Sequence, residues 1–144
     1  MSRLQLALNV SDLQESIAFY TAFFKTEPAK VRPGYANFAV LDPPLKLVLF
    51  ENPAQPGTIN HLGVEVFSTD DVALATTYLS QQGFATDVEE HTTCCHAVQD
   101  KVWVTGPDES RWEVYTVLAD APVESGLSGD DSCCVPDAST PSCC

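Results

Sequence analysis

The chain has 144 residues, enough for one domain or two small modules sharing a core, and 44% of them are hydrophobic. Seven Lys and Arg stand against twenty Asp and Glu, a formal net charge of −13, which disfavours phosphate backbones and hence nucleic acid as a partner. The longest apolar stretch near a strand, Leu47-Val48-Leu49-Phe50, falls far short of the roughly 20 residues a membrane helix needs, and the N-terminus lacks signal-peptide character, so a cytoplasmic protein without membrane contact is expected.

Leu4, Leu6, Leu8 and Val10 alternate with Arg3, Gln5, Ala7 and Asn9, the signature of a strand. Ser11 and Gln14 have the spacing of a capping box, and Leu13, Ile17, Tyr20 and Phe24 follow at helical spacing until Pro28 ends the helix. A short strand is predicted near 29–32, then strands at 35–41 and 45–51 about the turn Asp42-Pro43-Pro44. Asn52-Pro53-Ala54-Gln55-Pro56-Gly57 reads as a linker. The pattern then restarts. A strand over 59–67 puts Leu62, Val64 and Val66 on one side and His61, Gly63 and Glu65 on the other. Ser68 to Asp71 starts a second helix with Val72, Ala75, Thr76 and Leu79 on its apolar face, and Gly83 caps it. Strands follow at 85–90, 98–105 and 111–118, the last two joined by a turn at Gly106-Pro107-Asp108. From about residue 120 the composition turns to Asp, Ser, Pro and Cys, so 121–144 is predicted to be an acidic, Cys-rich, disordered tail.

This is an internal repeat. Leu4-Gln5-Leu6-Ala7-Leu8-Asn9-Val10 aligns with Asn60-His61-Leu62-Gly63-Val64-Glu65-Val66. The predicted class is α+β: two βαβββ modules (2–51 and 59–120, linker 52–58) forming one domain over 1–120, a curved mixed sheet around a metal site. The repeat sets Gln5 and His61 face to face across a concave surface. Arg111, Glu113, Tyr115 and Val117 share one face of the last strand. Aligning the proline turns pairs Arg111 with Lys46 and Glu113 with Val48, so the first module lacks the carboxylate that the second keeps; Glu51, at an odd offset from Val48, is on the wrong face. One His, one carboxylate and one amide resemble the 2-His-1-carboxylate facial triad with Gln in place of a His, a pattern that favours Fe(II) and leaves room for substrate and O2. A lone His in a strand is more often a satisfied core residue; the repeat strengthens the joint case for Gln5, His61 and Glu113 as metal ligands that act in catalysis through the metal.

The six cysteines form adjacent pairs: Cys94-Cys95, Cys133-Cys134 and Cys143-Cys144. Adjacent cysteines rarely bridge each other, and in the cytosol they are expected reduced, which points to soft-metal chemistry. A zinc site using His91 and His96 lacks the usual cysteine spacing. Trivalent arsenic fits better: a monomethyl arsenical keeps one As–C bond and has two exchangeable positions that neighbouring thiolates fill. Inorganic arsenite wants a third thiolate and Hg(II) accepts two in line, so the pair alone leaves these ions open.

Pro33-Gly34-Tyr35-Ala36-Asn37-Phe38, Pro44-Leu45-Lys46-Leu47-Val48-Leu49, Asn60-His61-Leu62-Gly63-Val64-Glu65, Thr92-Thr93-Cys94-Cys95, Gln99-Asp100-Lys101-Val102-Trp103-Val104 and Trp112-Glu113-Val114-Tyr115 resemble the ArsI/CadI family. That family lies in the vicinal-oxygen-chelate superfamily of glyoxalase I and the extradiol dioxygenases, and the resemblance runs from about residue 2 to 120. It implies the superfamily's two-module, glyoxalase-like fold. For the ArsI branch it implies an Fe(II)- and O2-dependent non-heme C–As lyase that converts trivalent organoarsenicals such as methylarsenite to arsenite. Gln5, His61 and Glu113 would bind the metal, with Ni, Co or Zn able to replace Fe in crystals, and Cys94 and Cys95 would bind substrate. His96 departs from the family pattern, where an aromatic residue such as Tyr is expected. The CadI branch implies the alternative, a non-catalytic cadmium- or arsenic-sequestering protein using all three cysteine pairs. Another enzyme of the superfamily, such as a glyoxalase or a thiol transferase, is a further alternative; the missing fourth ligand argues against glyoxalase chemistry. Cys133, Cys134, Cys143 and Cys144 are expected as accessory thiols, and the chain as a monomer or homodimer.

Overall fold

Each module begins with a strand whose even-numbered residues are apolar, so one sheet face must be covered and the next element supplies the cover. Module one runs β1 (Arg3–Val10), α1 (Leu13–Phe24), β2 (Lys30–Arg32), β3 (Tyr35–Val40) and β4 (Leu45–Glu51). Module two runs β5 (Ile59–Glu65), α2 (Thr69–Gln81), β6 (Thr86–Cys94), β7 (Ala97–Thr105) and β8 (Arg111–Asp120), with a 3-10 turn at Pro107–Glu109. These come from a computed structural model that describes residues 2–94 and 96–121. The expectations for Cys95, for the tail and for Cys133, Cys134, Cys143 and Cys144 lie outside the described residues. Among the described residues no helix is long and apolar enough to cross a membrane.

All eight strands form one sheet in the order β2-β3-β4-β1-β5-β8-β7-β6. The two halves mirror each other about the antiparallel seam between β1 and β5, where Leu6 lies opposite Leu62. The 56 residues that separate Gln5 from His61 also separate Leu6 from Leu62. A residue opposite its own repeat partner lies on a pseudo-two-fold axis. The sheet curls until its ends meet: Lys30 of edge strand β2 donates to the carbonyl of His96 at 3.1 Å, beyond the end of β6, and pairs with Asp120.

The curl separates two faces. On the outer face Leu13, Ala36, Phe38, Val40, Leu47 and Leu49 are buried, with Leu6, Leu8, Ile17, Tyr20 and Phe24 packed against them. On the inner face Ala7, Tyr35, Val48 and Phe50 form a second cluster. Helix α2 packs on β6, β7 and β8 and buries Val72.

Three local expectations change. Asp12, not Ser11, caps α1: its carboxylate accepts from the Glu15 N–H at 2.8 Å. The acid suits the positive end of the helix better than a hydroxyl does. Helix α1 stops at Phe24 because Lys25 turns left-handed (φ 51) and its N–H reaches the Thr21 carbonyl, so Pro28 lies beyond the end. Strand β6 continues past residue 90 to Cys94, because Thr92, Thr93 and Cys94 pair with Gln99, Val98 and Ala97. Helix α2 follows expectation, with Ser68 as N-cap and a left-handed Gly83 (φ 83) after it, where the Gly83 and Phe84 N–H groups return to the carbonyls of Ser80 and Leu79.

Candidate metal centre

The seam places the three predicted ligands. Gln5 of β1 lies opposite Gly63 of β5, and Gly63 lies opposite Glu113 of β8. His61, two positions along the same face of β5, completes the set. The structure brings the three together in the concave cup, and all are buried. The Gln5 amide nitrogen is 2.7 Å from Glu113 Oε1 and 3.1 Å from His61 Nε2, and His61 Nε2 is 3.2 Å from Glu113 Oε1.

These atoms form a triangle of the size a metal requires. Donors about 2.1 Å from a metal and at right angles to one another stand about 3.0 Å apart. A half-turn of the Gln5 amide would put its oxygen at that corner, the atom a cation takes. Among the described residues no three His, Cys, Asp or Glu side chains cluster, so the amide is what completes the set.

His61 and Glu113 are each held from behind. His61 Nδ1 lies 2.8 Å from Asn60 Oδ1, and the Asn60 amide NH2 donates to Asn9 Oδ1 at 3.0 Å. That second bond fixes which end of the Asn60 amide faces the ring. With a metal in the triangle Nδ1 would carry the proton and Nε2 turn a lone pair inward; without one, a proton on Nε2 serves Glu113 Oε1. Glu113 divides its oxygens: Oε1 stays in the triangle, and Oε2 accepts from the fully buried Lys101 ammonium at 2.8 Å. Burial pushes the Glu113 carboxyl up, but the contact with His61 and the charge of Lys101 outweigh it and bring its pKa to about 2. Gly63 leaves the gap in which Gln5 and Glu113 meet. A Cβ there would sit 3.0 Å from Glu113 Cγ, 3.1 Å from its carbonyl oxygen and 3.3 Å from the Gln5 amide nitrogen.

Lys101, Asn60 and Gly63 received no role from the sequence. Lys101 alone carried a signal: with Gln99 and Trp103 it shares one face of a strand that pairs with the Glu113 strand.

The cup wall is aromatic from the triangle to the β6–β7 turn. Trp103 lies 5.4 Å from His61, Phe50 lies 6.3 Å from His61, Tyr35 lies 5.6 Å from Phe50, and His96 lies 5.3 Å from Tyr35, centroid to centroid. His96 thus fills the place where an aromatic residue was expected. Burial, with Arg32 and Lys30 nearby, lowers its pKa and favours the neutral ring. Cys94 is buried beside this turn. The sequence reading expected a reduced thiol; the structure instead holds Cys94 in a disulfide whose partner lies outside the described residues. His91 and His96 do not form a zinc site, since His91 turns outward against Asp100, with its side chain 77% exposed.

Residues 3–114 match the family model of the glyoxalase/bleomycin resistance protein/dioxygenase superfamily. The chain is 63% identical over 121 residues to the cadmium-induced protein CadI of Mycobacterium tuberculosis, covering 84% of this chain and 80% of that protein. It is 56% identical over 138 residues to the trivalent organoarsenical cleaving enzyme of Thermomonospora curvata, covering 94% and 90%. In fold it resembles homoprotocatechuate 2,3-dioxygenase from Arthrobacter globiformis, with a TM-score of 0.60 and 19% identity over 82% of this chain and 36% of that one.

Proposed function

The chain belongs to the glyoxalase/bleomycin resistance protein/dioxygenase superfamily, and from that premise we propose that it uses O2 to cleave the carbon–arsenic bond of trivalent organoarsenicals such as methylarsenite, so that CH3As(OH)2 and O2 give arsenite, As(OH)3, and the methyl carbon leaves oxidised as CH2O. The observation that carries the reading is the triangle of Gln5, His61 and Glu113 on the sheet face to which the strand register also assigns Cys94, opposite Ala97. Its donor set suits Fe(II), which when bound supplies a site where O2 is activated toward the As–C bond.

The rest is done by the chain. Cys94 and Cys95, once reduced, take the two exchangeable positions on arsenic and leave the As–C bond intact for the reaction. Asn60 keeps the His61 lone pair aimed inward, and Lys101 balances the charge of Glu113 while occupying its second oxygen. Phe50, Tyr35 and Trp103 keep water from the space between Cys94 and the triangle.

The test is incubation of Fe(II)-loaded, reduced protein with methylarsenite, with and without O2, and arsenic speciation as the readout. Arsenite is expected only when both iron and O2 are present. Cys94→Ser should abolish release while leaving metal content intact, because a hydroxyl is a poor ligand for soft arsenic.

A second reading is sequestration of cadmium or arsenic without turnover, which the identity to the cadmium-induced protein favours. Its mark would be cadmium binding unchanged in a Gln5→Ala/His61→Ala double variant, together with no arsenite release by the wild type.

A further inference from the structure

Cys94 reaches the cup because β6 carries one residue too many, and we infer that Asp100, acting from the opposite face of the sheet, is the positioning residue that holds it there. The inference rests on the proposed role of Cys94 as an arsenic ligand.

Thr86, Asp87, Val88 and Glu89 pair with Val104, Trp103, Val102 and Lys101 in one register. Thr92, Thr93 and Cys94 pair with Gln99, Val98 and Ala97 in a register shifted by one residue. Between them Glu90 and His91 together oppose Asp100, which is a β-bulge. Strand β7 alternates without interruption. Lys101 and Trp103 face the cup, where they meet Glu113 and His61, so Gln99 and Ala97 face it too. Directly opposed residues share a face. Before the bulge, the odd residues Asp87 and Glu89 are therefore on the cup side; after it, the even residues Thr92 and Cys94 are. In the unshifted register Cys94 would point to the helix side, since a slip of one residue turns every side chain over.

Asp100, on the face away from the cup, clasps this bulge to α2. Its carboxylate is buried; Oδ1 accepts the His91 N–H at 2.8 Å and Oδ2 accepts the Thr69 hydroxyl at 2.7 Å. His91 has φ 49, a left-handed conformation that few residues with a side chain adopt. Strand β8 is displaced at the same level: Gln99 pairs with Val117 but Val98 with Ala119. The hairpin end is thus bent out of register with both neighbours, and Asp100 is the side chain that ties it to a helix.

The experiment is alkylation of Cys94 by iodoacetamide in the full-length, Co(II)-loaded chain after reduction of its disulfide, read by peptide mass spectrometry. In Asp100→Ala the rate at Cys94 should rise by about tenfold or more, because a charge-assisted clasp is lost and the hairpin end opens. Asp100→Asn should stay near the wild-type rate, since its amide oxygen still accepts the His91 N–H and the Thr69 hydroxyl can turn to accept from the amide. Co(II) affinity should hold within about twofold in both, because the clasp lies behind the sheet. Thr69→Val, which removes one bond only, covers the case in which Asp100→Ala does not fold, and it too should speed labelling. A wild-type rate in a folded Asp100→Ala or Thr69→Val protein overturns the inference, as does faster labelling accompanied by equal loss of Co(II) binding. Alkylation requires no arsenic chemistry, so a wild type that releases no arsenite would defeat the proposed function and leave this result standing.

Discussion

At the scale of single residues, the site depends on an atom that is missing as much as on those present. Gly63 stands between Gln5 and Glu113, and its value lies in the space it leaves, since no positive φ requires glycine there. Gly63→Ala sets a methyl group 3.1 Å from a backbone carbonyl that cannot move alone. The strain should cost about 1–3 kcal/mol of stability and separate two of the proposed metal donors. Thermal melts should fall, and Co(II) titration should give weaker binding; unaltered affinity would mean the gap has no part in the site. Glu113 gives a dependence on pH in the metal-free protein. Its carboxyl titrates at about 2 when folded, against 4.5 unperturbed. A depressed pKa stabilises the fold above the unfolded value, and this contribution disappears as pH falls from about 4.5 through about 2, a loss on the order of 3 kcal/mol. The stability gap between wild type and Glu113→Gln should therefore narrow over that window. A gap of constant size from neutral pH to pH 2 would remove the ionised carboxylate from the account. The meeting of Gln5, His61 and Glu113 was legible in the sequence because the repeat aligns Gln5 with His61 and alternation fixes the face of Glu113. Lys101 was legible only as far as its face: alternation sets it on the Glu113 side, but nothing in a sequence tells whether a lysine there is buried against a carboxylate or exposed.

Among elements, legibility follows periodicity. Both helices and most strands were readable from the spacing of apolar residues, and the β4 and β8 registers agree with the alignment of Lys46 with Arg111 and of Val48 with Glu113. The errors fall at ends and bulges. Ser11 and Asp12 are both plausible caps by type, and the choice belongs to the angle at which β1 leads into α1; Glu51, away from the cup, accepts the Leu13 N–H at 3.0 Å and helps set that angle. Asp12→Ala should cost about 1 kcal/mol in urea denaturation and Ser11→Ala only a few tenths. The reverse order would return the cap to Ser11. The bulge in β6 was beyond the sequence reading because its cause is tertiary: a clasp from Asp100 to Thr69, outside the alternation of the strand.

For the whole molecule, the pseudo-two-fold axis says what the site lacks. Ala7 and Gly63 are repeat partners on the inner face; Ala7 lies opposite Val48, and Gly63 lies opposite Glu113. Val48 is therefore the position at which a symmetric molecule would place a second carboxylate. It is buried in the cup with Ala7, Tyr35 and Phe50 and lies opposite Asn37, whose amide donates to the Tyr35 hydroxyl, so Val48 itself brings no carboxylate to that side of the triangle. In the proposed enzyme this is the open side, where the substrate's arsenic and O2 approach. Val48→Glu should fill it. Without metal the added carboxylate is buried among Ala7, Tyr35 and Phe50 and should destabilise the fold by a few kcal/mol. With Co(II) the same group becomes a fourth protein ligand, so the rise in melting temperature on metal addition should exceed that of the wild type. Arsenite release from methylarsenite should fall at the same time, because the position the reaction needs is taken. A variant whose Co(II)-induced stabilisation matches the wild type would place Val48 outside the coordination sphere. The asymmetry between the modules would then be a packing feature of the first half, without bearing on how the metal is held.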